Sequence, residues 1–339
     1  MAACRLTGCV VVAMLVAGCW GGKREAADPR APRVYLGHAL ALMRSNAVYT
    51  PKGGWSAVEA EATKRAASAT TAAETYPALE YAIAQLEQAG DGHAAFMDPS
   101  ESKRSQEFRT SVQSPPPTVS LAAPRIGLIE VGGVLASLKT PGARRYAASA
   151  LADISSLQRS RHPCGWIVDL RANGGGSMYP MLLSVGPILG SGRLIGFTDK
   201  KRVRVWVSYR SSTLFYGSGD TDPAPARIPD FSPAPAVAVL TGPHTASSGE
   251  AVAIAFRGRP QTRSFGATTA GATTSPNSYR LADGATIQFA VWLDIDRRGH
   301  IYRRAVRPDV FASTLGGDGQ AYRVAKRWLR STTACKPHH

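Results

Sequence analysis

Ser247, in the second half of the chain, stands in a context that suits a nucleophile. The apolar residues 236–240 before it are typical of a strand buried on both faces, and the helix formers in 250–256 predict a helix after it. A serine on such a strand-to-helix turn exposes its hydroxyl at the sheet edge. The first helical N–H groups, including that of Ser248, then point to where an oxyanion would form. The alternative is that Ser247, Ser248 or Thr245 only caps the helix.

A serine nucleophile needs a base that accepts its proton. The histidine candidates are His93, on a glycine-rich loop, and His244 and His300, in sequences typical of turns. A lysine from the segment after the serine is excluded, because no lysine occurs between Ser248 and Lys326. A lone histidine is more often structural than catalytic, so the local sequence leaves the identity of the base open.

A second turn with few side chains follows another buried strand. The apolar strand predicted at 165–170 is followed by Asn-Gly-Gly-Gly at 173–176. Gly175 and Gly176 let backbone N–H groups approach a substrate carbonyl, which would complete a two-donor oxyanion hole with Ser248. The alternative is a phosphate-binding loop, but the turn contains neither a GxGxxG nor a Gly-Lys-Ser/Thr motif.

Hydrophobic periodicity predicts the elements that must position these residues. Strands at 126–131 and 165–170 flank a helix at 146–157, and strands joined in this way should be parallel. The turns after such strands collect at one edge of the sheet and can face a single crevice. Alternation of this kind predicts an α/β domain. Further strands are predicted at 201–209, 236–240, 263–265 and 285–293, and further helices at 34–43, 55–67, 76–89, 178–189 and 321–329.

Four motifs in a fixed order resemble the signature blocks of the tail-specific serine proteases, also called carboxy-terminal processing proteases, a family that includes the tricorn core. They are Val-Asp-Leu-Arg-Ala-Asn-Gly-Gly-Gly at 168–176, Thr-Ala-Ser-Ser-Gly-Glu at 245–250, Phe-Gly-Ala-Thr-Thr-Ala-Gly at 265–271 and Ala-Val-Arg-Pro-Asp-Val at 305–310. With the Asp-Gly-His that ends at His93, the resemblance covers roughly 34–312. Four blocks in order are much more specific than any one of them.

The resemblance implies a crotonase-like β/α spiral core preceded by a small helical N-terminal subdomain, and a peptidase that needs no metal or cofactor. Ser247 matches the family's nucleophile, and Gly175 and the N–H of Ser248 match its oxyanion donors. The processing branch carries a lysine base at a Gly-Lys that matches Gly271-Ala272, and this lysine is absent. The tricorn-like branch uses a histidine that matches His93, so His93 is the expected base.

At the third member of the expected triad the sequence departs from the family pattern. The tricorn-like branch has a glutamate near the last motif, where this sequence has Tyr302 and Arg303. Asp294 or Asp296 is therefore the expected substitute, unless the site is a dyad. The processing branch usually carries a PDZ insertion between the lead-in and the core, and 101–124 is too short for one, which also favours the tricorn-like branch.

The first residues of the chain predict export. An arginine and a short apolar run precede Val-Ala-Gly-Cys, which ends at Cys19 and resembles a bacterial lipobox, in which the cysteine is lipidated. The sequence therefore predicts a lipoprotein anchored to a membrane. Trp20 after the cysteine, instead of aspartate, favours the periplasmic face of an outer membrane. A plain signal peptide cleaved nearby is the alternative.

Composition narrows the class of protein and its partners. With 44% hydrophobic and 19% charged residues in 339, the chain is globular rather than collagen-like, disordered or multi-spanning. The formal net charge is +16, but the basic residues are scattered and form no recognised nucleic-acid motif. We therefore expect no nucleic-acid partner and interpret the excess as a surface near lipid headgroups. Cys164 and Cys335 could pair in an oxidising compartment or remain separate thiols.

These observations predict a division of the chain and an activity. The predicted regions are a lipoprotein signal peptide at 1–19, a tether at 20–33, a helical N-terminal subdomain at 34–100, a Pro-rich linker at 101–124, a catalytic core at 125–330 and a tail at 331–339. The expected activity is a serine peptidase acting on a peptide or unfolded protein, of unknown oligomeric state. The alternatives are a catalytically weak or inactive module that binds peptides or lipophiles on the same fold, and an acyl-thioester enzyme.

Overall fold

The computed structural model describes residues 28–111, 114–217, 219–224, 228, 231–232, 234–314 and 319–336. The predicted signal peptide, Cys19 and most of the predicted tether lie outside the described residues. The helices are α1 (Pro32–Asn46), α2 (Trp55–Arg65), α3 (Tyr76–Gln88), α4 (Pro99–Ser111), α5 (Pro141–Arg161), α6 (Met178–Ser184), α7 (Gly186–Leu189), α8 (Ser248–Phe256) and α9 (Gln320–Ser331). The strands are β1 (Ala95–Met97), β2 (Thr118–Ala123), β3 (Ile126–Glu130), β4 (Gly165–Asp169), β5 (Gly192–Thr198), β6 (Arg204–Arg210), β7 (Thr213–Tyr216), β8 (Thr221–Pro223), β9 (Ala236–Thr241), β10 (Thr262–Gly266), β11 (Thr274–Arg280), β12 (Thr286–Ile295) and β13 (Val310–Phe311).

The central sheet has the strand order β13-β10-β9-β4-β3-β2, and its strands are parallel except for β2. Every residue of β4 and β9 is buried, as the apolar runs predict. Along β9, Val237 and Val239 pack into the cluster that contains α5, α6 and α8, whereas Ala238 and Leu240 face α9. This alternation places helices on both faces of the sheet.

A second sheet carries the helical N-terminal region. Its strands follow the order β1-β12-β5-β6-β7-β8, with β11 also paired to β12 in antiparallel fashion. The apolar face of α3, including Leu79, Ile83 and Leu86, packs in one cluster with Ile287 and Phe289 of β12. The predicted α/β class with a helical N-terminal region is confirmed.

Several elements differ from the sequence-based expectation. The single helix expected at 178–189 is divided into α6 and α7 at Val185, because Pro187 lacks the N–H that a continuous helix would need there. The segment expected to be a linker contains α4 and β2. Hydrophobic periodicity does not predict either element, since α4 has no buried residue among those described and β2 is an edge strand with little burial.

A disulfide joins Cys164, next to β4, to Cys335, just beyond α9. The two cysteines are 171 residues apart in sequence. In the chain-entropy model, closing a loop of this length raises the free energy of the unfolded chain by about 5 kcal/mol. The bond fastens α9 to the central sheet. Within the part of the chain that the structure describes, no helix is both long enough and apolar enough to cross a membrane.

Candidate active site

Ser247 lies at the turn between β9 and α8, where the sequence places it. Its φ of 51° is uncommon for a residue other than glycine, so the surrounding contacts must hold this backbone in place. Glu250, which is fully buried, accepts a hydrogen bond from the Ser247 N–H at 3.0 Å through Oε2. The other oxygen of Glu250 accepts from the Gly271 N–H at 2.9 Å and from the Thr269 hydroxyl. The turn is thereby tied to the loop that precedes β11.

His93 reaches Ser247 from the helical region. Its Nε2 lies 2.9 Å from the Ser247 Oγ, although 154 residues separate the two in the chain. Asp91 fixes the loop that carries the ring, because its Oδ1 accepts from the His93 N–H at 2.9 Å and its Oδ2 from the Ala290 N–H of β12 at 2.8 Å. Burial lowers the pKa of His93 below its usual 6.5, which favours the neutral ring that can accept a proton.

The second ring nitrogen of His93 contacts a threonine. Nδ1 lies 2.7 Å from the Oγ1 of Thr274, a buried residue at the start of β11. When the Ser247 hydroxyl donates to Nε2, the proton of the neutral ring is on Nδ1 and is donated to Thr274. The three side chains therefore form a Ser, His, Thr chain of hydrogen bonds.

The expected aspartates do not occupy this position. Thr274 pairs with Leu293 across β11 and β12, and successive side chains of a strand point to opposite faces, so Asp294 points away from the face that Thr274 shares with Leu293. Asp294 is completely buried, its Oδ1 has no hydrogen-bond partner among the described residues, and burial, assisted by the charge of Glu250, raises its pKa to about 8. Asp296 instead accepts from the N–H groups of Arg298 and His300 and caps the turn after β12.

The glycine turn after β4 lies directly against the serine turn. A side chain on Gly175 would place its Cβ 2.9 Å from the Ser247 Cβ and 3.3 Å from the Ser248 N, so only glycine fits there without a shift. The Ser248 hydroxyl donates to the Gly176 carbonyl at 2.7 Å and joins the two turns. The Gly175 N–H already donates to the Asn173 Oδ1 at 3.0 Å. The Ser248 N–H, at the first position of α8, has no acceptor within its own helix.

The other base candidates lie elsewhere. His244 is exposed three residues before Ser247, and His300 is exposed in the turn after β12, where its ring packs edge-on against Tyr302. Ala272, at the position of the absent lysine, lies beside the histidine loop, since a Cβ on Gly92 would come within 3.7 Å of its side chain. Among the described residues, no group of three or more His, Cys, Asp or Glu is arranged to hold a metal ion.

Sequence analysis missed several residues of this site. Glu250 follows Ser247 at the S-x-x-E spacing of a capping box, so its contact with the serine N–H was readable from the sequence. Asp91, two residues before His93, has the spacing of an aspartate that stabilises a turn. Thr274 carries no such signal, because its contact depends on how β11 pairs with β12.

Comparison with known proteins matches this geometry to a family. The model of "Peptidase family S41" matches residues 125–311. A nisin-resistance protein of Lactococcus lactis subsp. lactis is 30% identical over 335 residues, which cover 96% of this chain and 97% of that protein.

Solved structures of similar fold include a lipoprotein from Streptococcus agalactiae, with a TM-score of 0.67 and 22% identity over 91% of this chain and 99% of that one. The photosystem II D1 C-terminal processing protease is also similar, with a TM-score of 0.58 and 15% identity over 90% and 98% of the two chains. The resemblance to the tail-specific proteases is confirmed. The family model spans more than half of the chain and the Lactococcus relative nearly all of it, so the chain belongs to peptidase family S41.

Proposed function

We propose that the protein is an exported serine peptidase in which Ser247 is the nucleophile and His93 the general base. The observation that carries this proposal is the 2.9 Å contact between the Ser247 Oγ and the His93 Nε2, continued by the 2.7 Å contact of Nδ1 with Thr274. These distances lie within the range over which a proton passes between a hydroxyl and an imidazole. Family membership supports peptide hydrolysis, and the geometry supports the assignment of roles.

In the proposed reaction, the Ser247 Oγ attacks the carbonyl carbon of a peptide bond while His93 Nε2 accepts the hydroxyl proton. His93 then gives that proton to the departing amine nitrogen, which leaves an acyl-serine. A water molecule, deprotonated by His93 in the same way, attacks this ester, and the Ser247 oxygen recovers its proton as the acid product leaves. The oxyanion formed in each step receives a hydrogen bond from the Ser248 N–H at the start of α8.

The glycine turn is proposed as the second wall of the oxyanion hole. Gly175 lies against Ser247 and Ser248, and its N–H can serve an oxyanion only by sharing its proton with Asn173. Gly176, whose carbonyl is held by the Ser248 hydroxyl, fixes the position of this wall. The Ser248 N–H is therefore the donor that the geometry favours most.

Thr274 is proposed as a positioning residue for His93. A hydroxyl can fix the ring and its tautomer, but unlike a carboxylate it carries no charge to stabilise the imidazolium. We expect Thr274→Val to lower kcat by about 10- to 100-fold with little change in KM, and Thr274→Ser to restore most of the rate. Steady-state kinetics on a fluorogenic peptide measures this. A kcat for Thr274→Val equal to that of the wild type contradicts the role.

The substrate is proposed to be an antimicrobial peptide of the nisin type, because the Lactococcus relative is named a nisin-resistance protein and aligns over nearly its whole length. Nisin is therefore the first peptide to incubate with the wild type and with Ser247→Ala, with mass spectrometry to detect fragments. Cleavage by the wild type alone supports this substrate. Intact nisin, in the presence of an enzyme that hydrolyses other peptides, rejects it.

Covalent labelling by a fluorophosphonate probe tests the activity itself. The chain is prepared from Trp20, which omits the predicted signal peptide and lipid site and keeps every described residue. An adduct on Ser247, located by mass spectrometry, is the expected result, because the probe reacts with an activated serine. A folded wild type that takes no label favours the non-catalytic binding module. Membrane attachment through Cys19 on the periplasmic face of the outer membrane remains part of the proposal.

A further inference from the structure

A cavity lies at the far end of the helix that begins beside Ser247. Its volume is about 680 Å³, and it surrounds the C-terminal end of α8. Because α8 has nine residues, its two ends are roughly 13 Å apart. The cavity is thus separate from the site described above. We call it the arginine cavity after its basic lining residues, which are Arg257, Arg259, Arg263, Arg298 and His300.

The carboxylates of the arginine cavity are already engaged. Asp309 forms an ion pair with Arg257 through Oδ1, and its Oδ2 accepts from the N–H and the hydroxyl of Ser264 at 2.8 Å. Asp296 accepts two backbone N–H groups through Oδ1 and the Tyr302 hydroxyl through Oδ2. Both acids therefore stabilise the walls of the cavity and have little capacity left for its remaining cations.

Three guanidinium groups of the cavity lack an acidic partner in the part of the chain that the structure describes. Among the described residues, no carboxylate lies within ion-pair distance of Arg259, Arg263 or Arg298. Arg263 and Arg298 are exposed, so water solvates their charges. Arg259 is only 6% exposed. Its Nε donates to the Leu189 carbonyl at 3.2 Å and its Nη1 to Pro260 and Thr262, whereas its Nη2 has no partner among the described residues.

A half-buried arginine, Arg297, adds to the excess of positive charge near the cavity. Arg297 donates through Nη2 to the same Leu189 carbonyl, at 3.2 Å, and through Nε to the Ala255 carbonyl near the end of α8. Burial lowers the pKa of Arg297 to about 10, and burial together with the charge of Arg297 lowers the pKa of Arg259 to about 10. The carbonyls at a helix C-terminus offer about half a negative charge, which is less than the two positive charges of Arg259 and Arg297 require.

We propose that the arginine cavity binds a phosphate group. Arg259 contributes from the buried wall a positive charge with no acidic partner among the described residues, and Arg263 and Arg298 supply guanidinium groups from the rim. Such groups match the oxygens of a phosphate in pairs. A phosphate monoester carries between one and two negative charges at neutral pH, which balances this excess of cations better than a single carboxylate does. The volume of about 680 Å³ leaves room for the molecule to which the phosphate is attached.

Inorganic phosphate is the first probe, used with the chain from Trp20. We expect its melting temperature to rise and saturate with phosphate concentration, relative to chloride at equal ionic strength. The double variant Arg263→Gln, Arg298→Gln removes the two exposed cations and leaves buried Arg259 in place. It is expected to weaken phosphate binding on the order of tenfold or more, because charge-assisted hydrogen bonds are lost. Its melting temperature in chloride, compared with that of the wild type, shows that the variant folds.

Arg144→Gln is the matched control, since it removes one exposed positive charge from α5, outside the cavity. Binding by this variant should equal that of the wild type. The proposal is overturned if phosphate stabilises the wild type no more than chloride does, or if Arg144→Gln weakens binding as much as the double variant. Fluorophosphonate labelling of Ser247 is independent of these outcomes, so the peptidase and the phosphate site can fail separately.

Binding to lipid vesicles distinguishes two sources of the phosphate group, a lipid headgroup and a soluble phosphate compound. If a lipid headgroup is the ligand, the chain from Trp20 sediments with phosphatidylglycerol vesicles, the double variant does not, and inorganic phosphate competes. If a soluble phosphate compound is the ligand, inorganic phosphate binds as described and the wild type stays in the supernatant. Either result supports the phosphate site and identifies the class of its ligand.

Discussion

Ser247→Ala is expected to abolish peptide hydrolysis, with a loss of kcat on the order of 10⁶-fold, because removal of a serine nucleophile leaves only the oxyanion donors and substrate binding. The loss should not come from unfolding. The bond from the residue 247 N–H to Glu250 uses the backbone, so alanine keeps it. The measurement is kcat on a peptide that the wild type cleaves, with the melting temperature of each variant as the check on folding.

Ser160→Ala is the matched control for this variant. Ser160 is an exposed serine of α5, and its replacement should leave both kcat and fluorophosphonate labelling unchanged. Labelling must disappear in Ser247→Ala and persist in Ser160→Ala. A Ser247→Ala protein that still cleaves peptides at the wild-type rate would show that another group performs the attack, and the proposed mechanism would then be abandoned.

The position of Ser247 was predictable because the information is local. A buried strand, a turn of small residues and a run of helix formers follow one another within about twenty residues, and each has its own sequence signal. The parallel pairing of β4 with β9 then brings the two turns together, as the sequence-based argument required. Gly175 can approach Ser247 this closely because it has no side chain.

The contact between His93 and Ser247 depended on more than local sequence. No periodicity could show that two residues 154 positions apart would lie 2.9 Å from each other. The resemblance to a family singled out His93 from the other histidines. In the structure the reason is physical, since β1 pairs with β12, and Asp91 bonds the histidine loop to the same strand.

Thr274 shows where sequence-based reasoning failed. The resemblance to the family predicts a carboxylate as the third member, and Asp294 and Asp296 are the aspartates nearest the expected position. Strand register determines which side chain can contact His93, because residues 293 and 294 point to opposite faces of β12. In addition, the sequence does not predict β11, the strand that carries Thr274. The β11 sequence, with Pro276 and polar residues, lacks the apolar alternation that would have revealed a strand.

The buried carboxyl groups of Glu250 and Asp294 have a structural explanation that needs no direct contact with substrate. Glu250 uses both oxygens to hold the positive φ of Ser247 against the loop before β11. Burial raises its pKa and that of Asp294, and the charge of Glu250 raises the pKa of Asp294 further. The raised pKa of Asp294 favours its protonated form, which avoids a second buried negative charge beside Glu250.

His93→Ala is the other change with a large expected effect. The serine hydroxyl loses its proton acceptor, so we expect kcat to fall on the order of 10⁶-fold and labelling of Ser247 to be lost, as for removal of the nucleophile itself. His244→Ala is the matched control, because His244 is an exposed histidine for which no hydrogen bond to Ser247 is found among the described residues, and it should retain wild-type kcat. Labelling that persists in His93→Ala would keep Ser247 as the nucleophile and remove His93 as its base.

The pH dependence of the wild type tests the same histidine without a mutation. The proposed reaction needs the neutral ring, and burial lowers the pKa of His93, so the neutral form persists to a lower pH than it would on an exposed histidine. As the pH falls through this lowered value, the ring gains a proton and kcat/KM declines. The acidic limb of the profile should therefore have its midpoint below 6.5, the usual histidine value. A midpoint well above that value would contradict the assignment, because it would require a base whose protonated form the site stabilises.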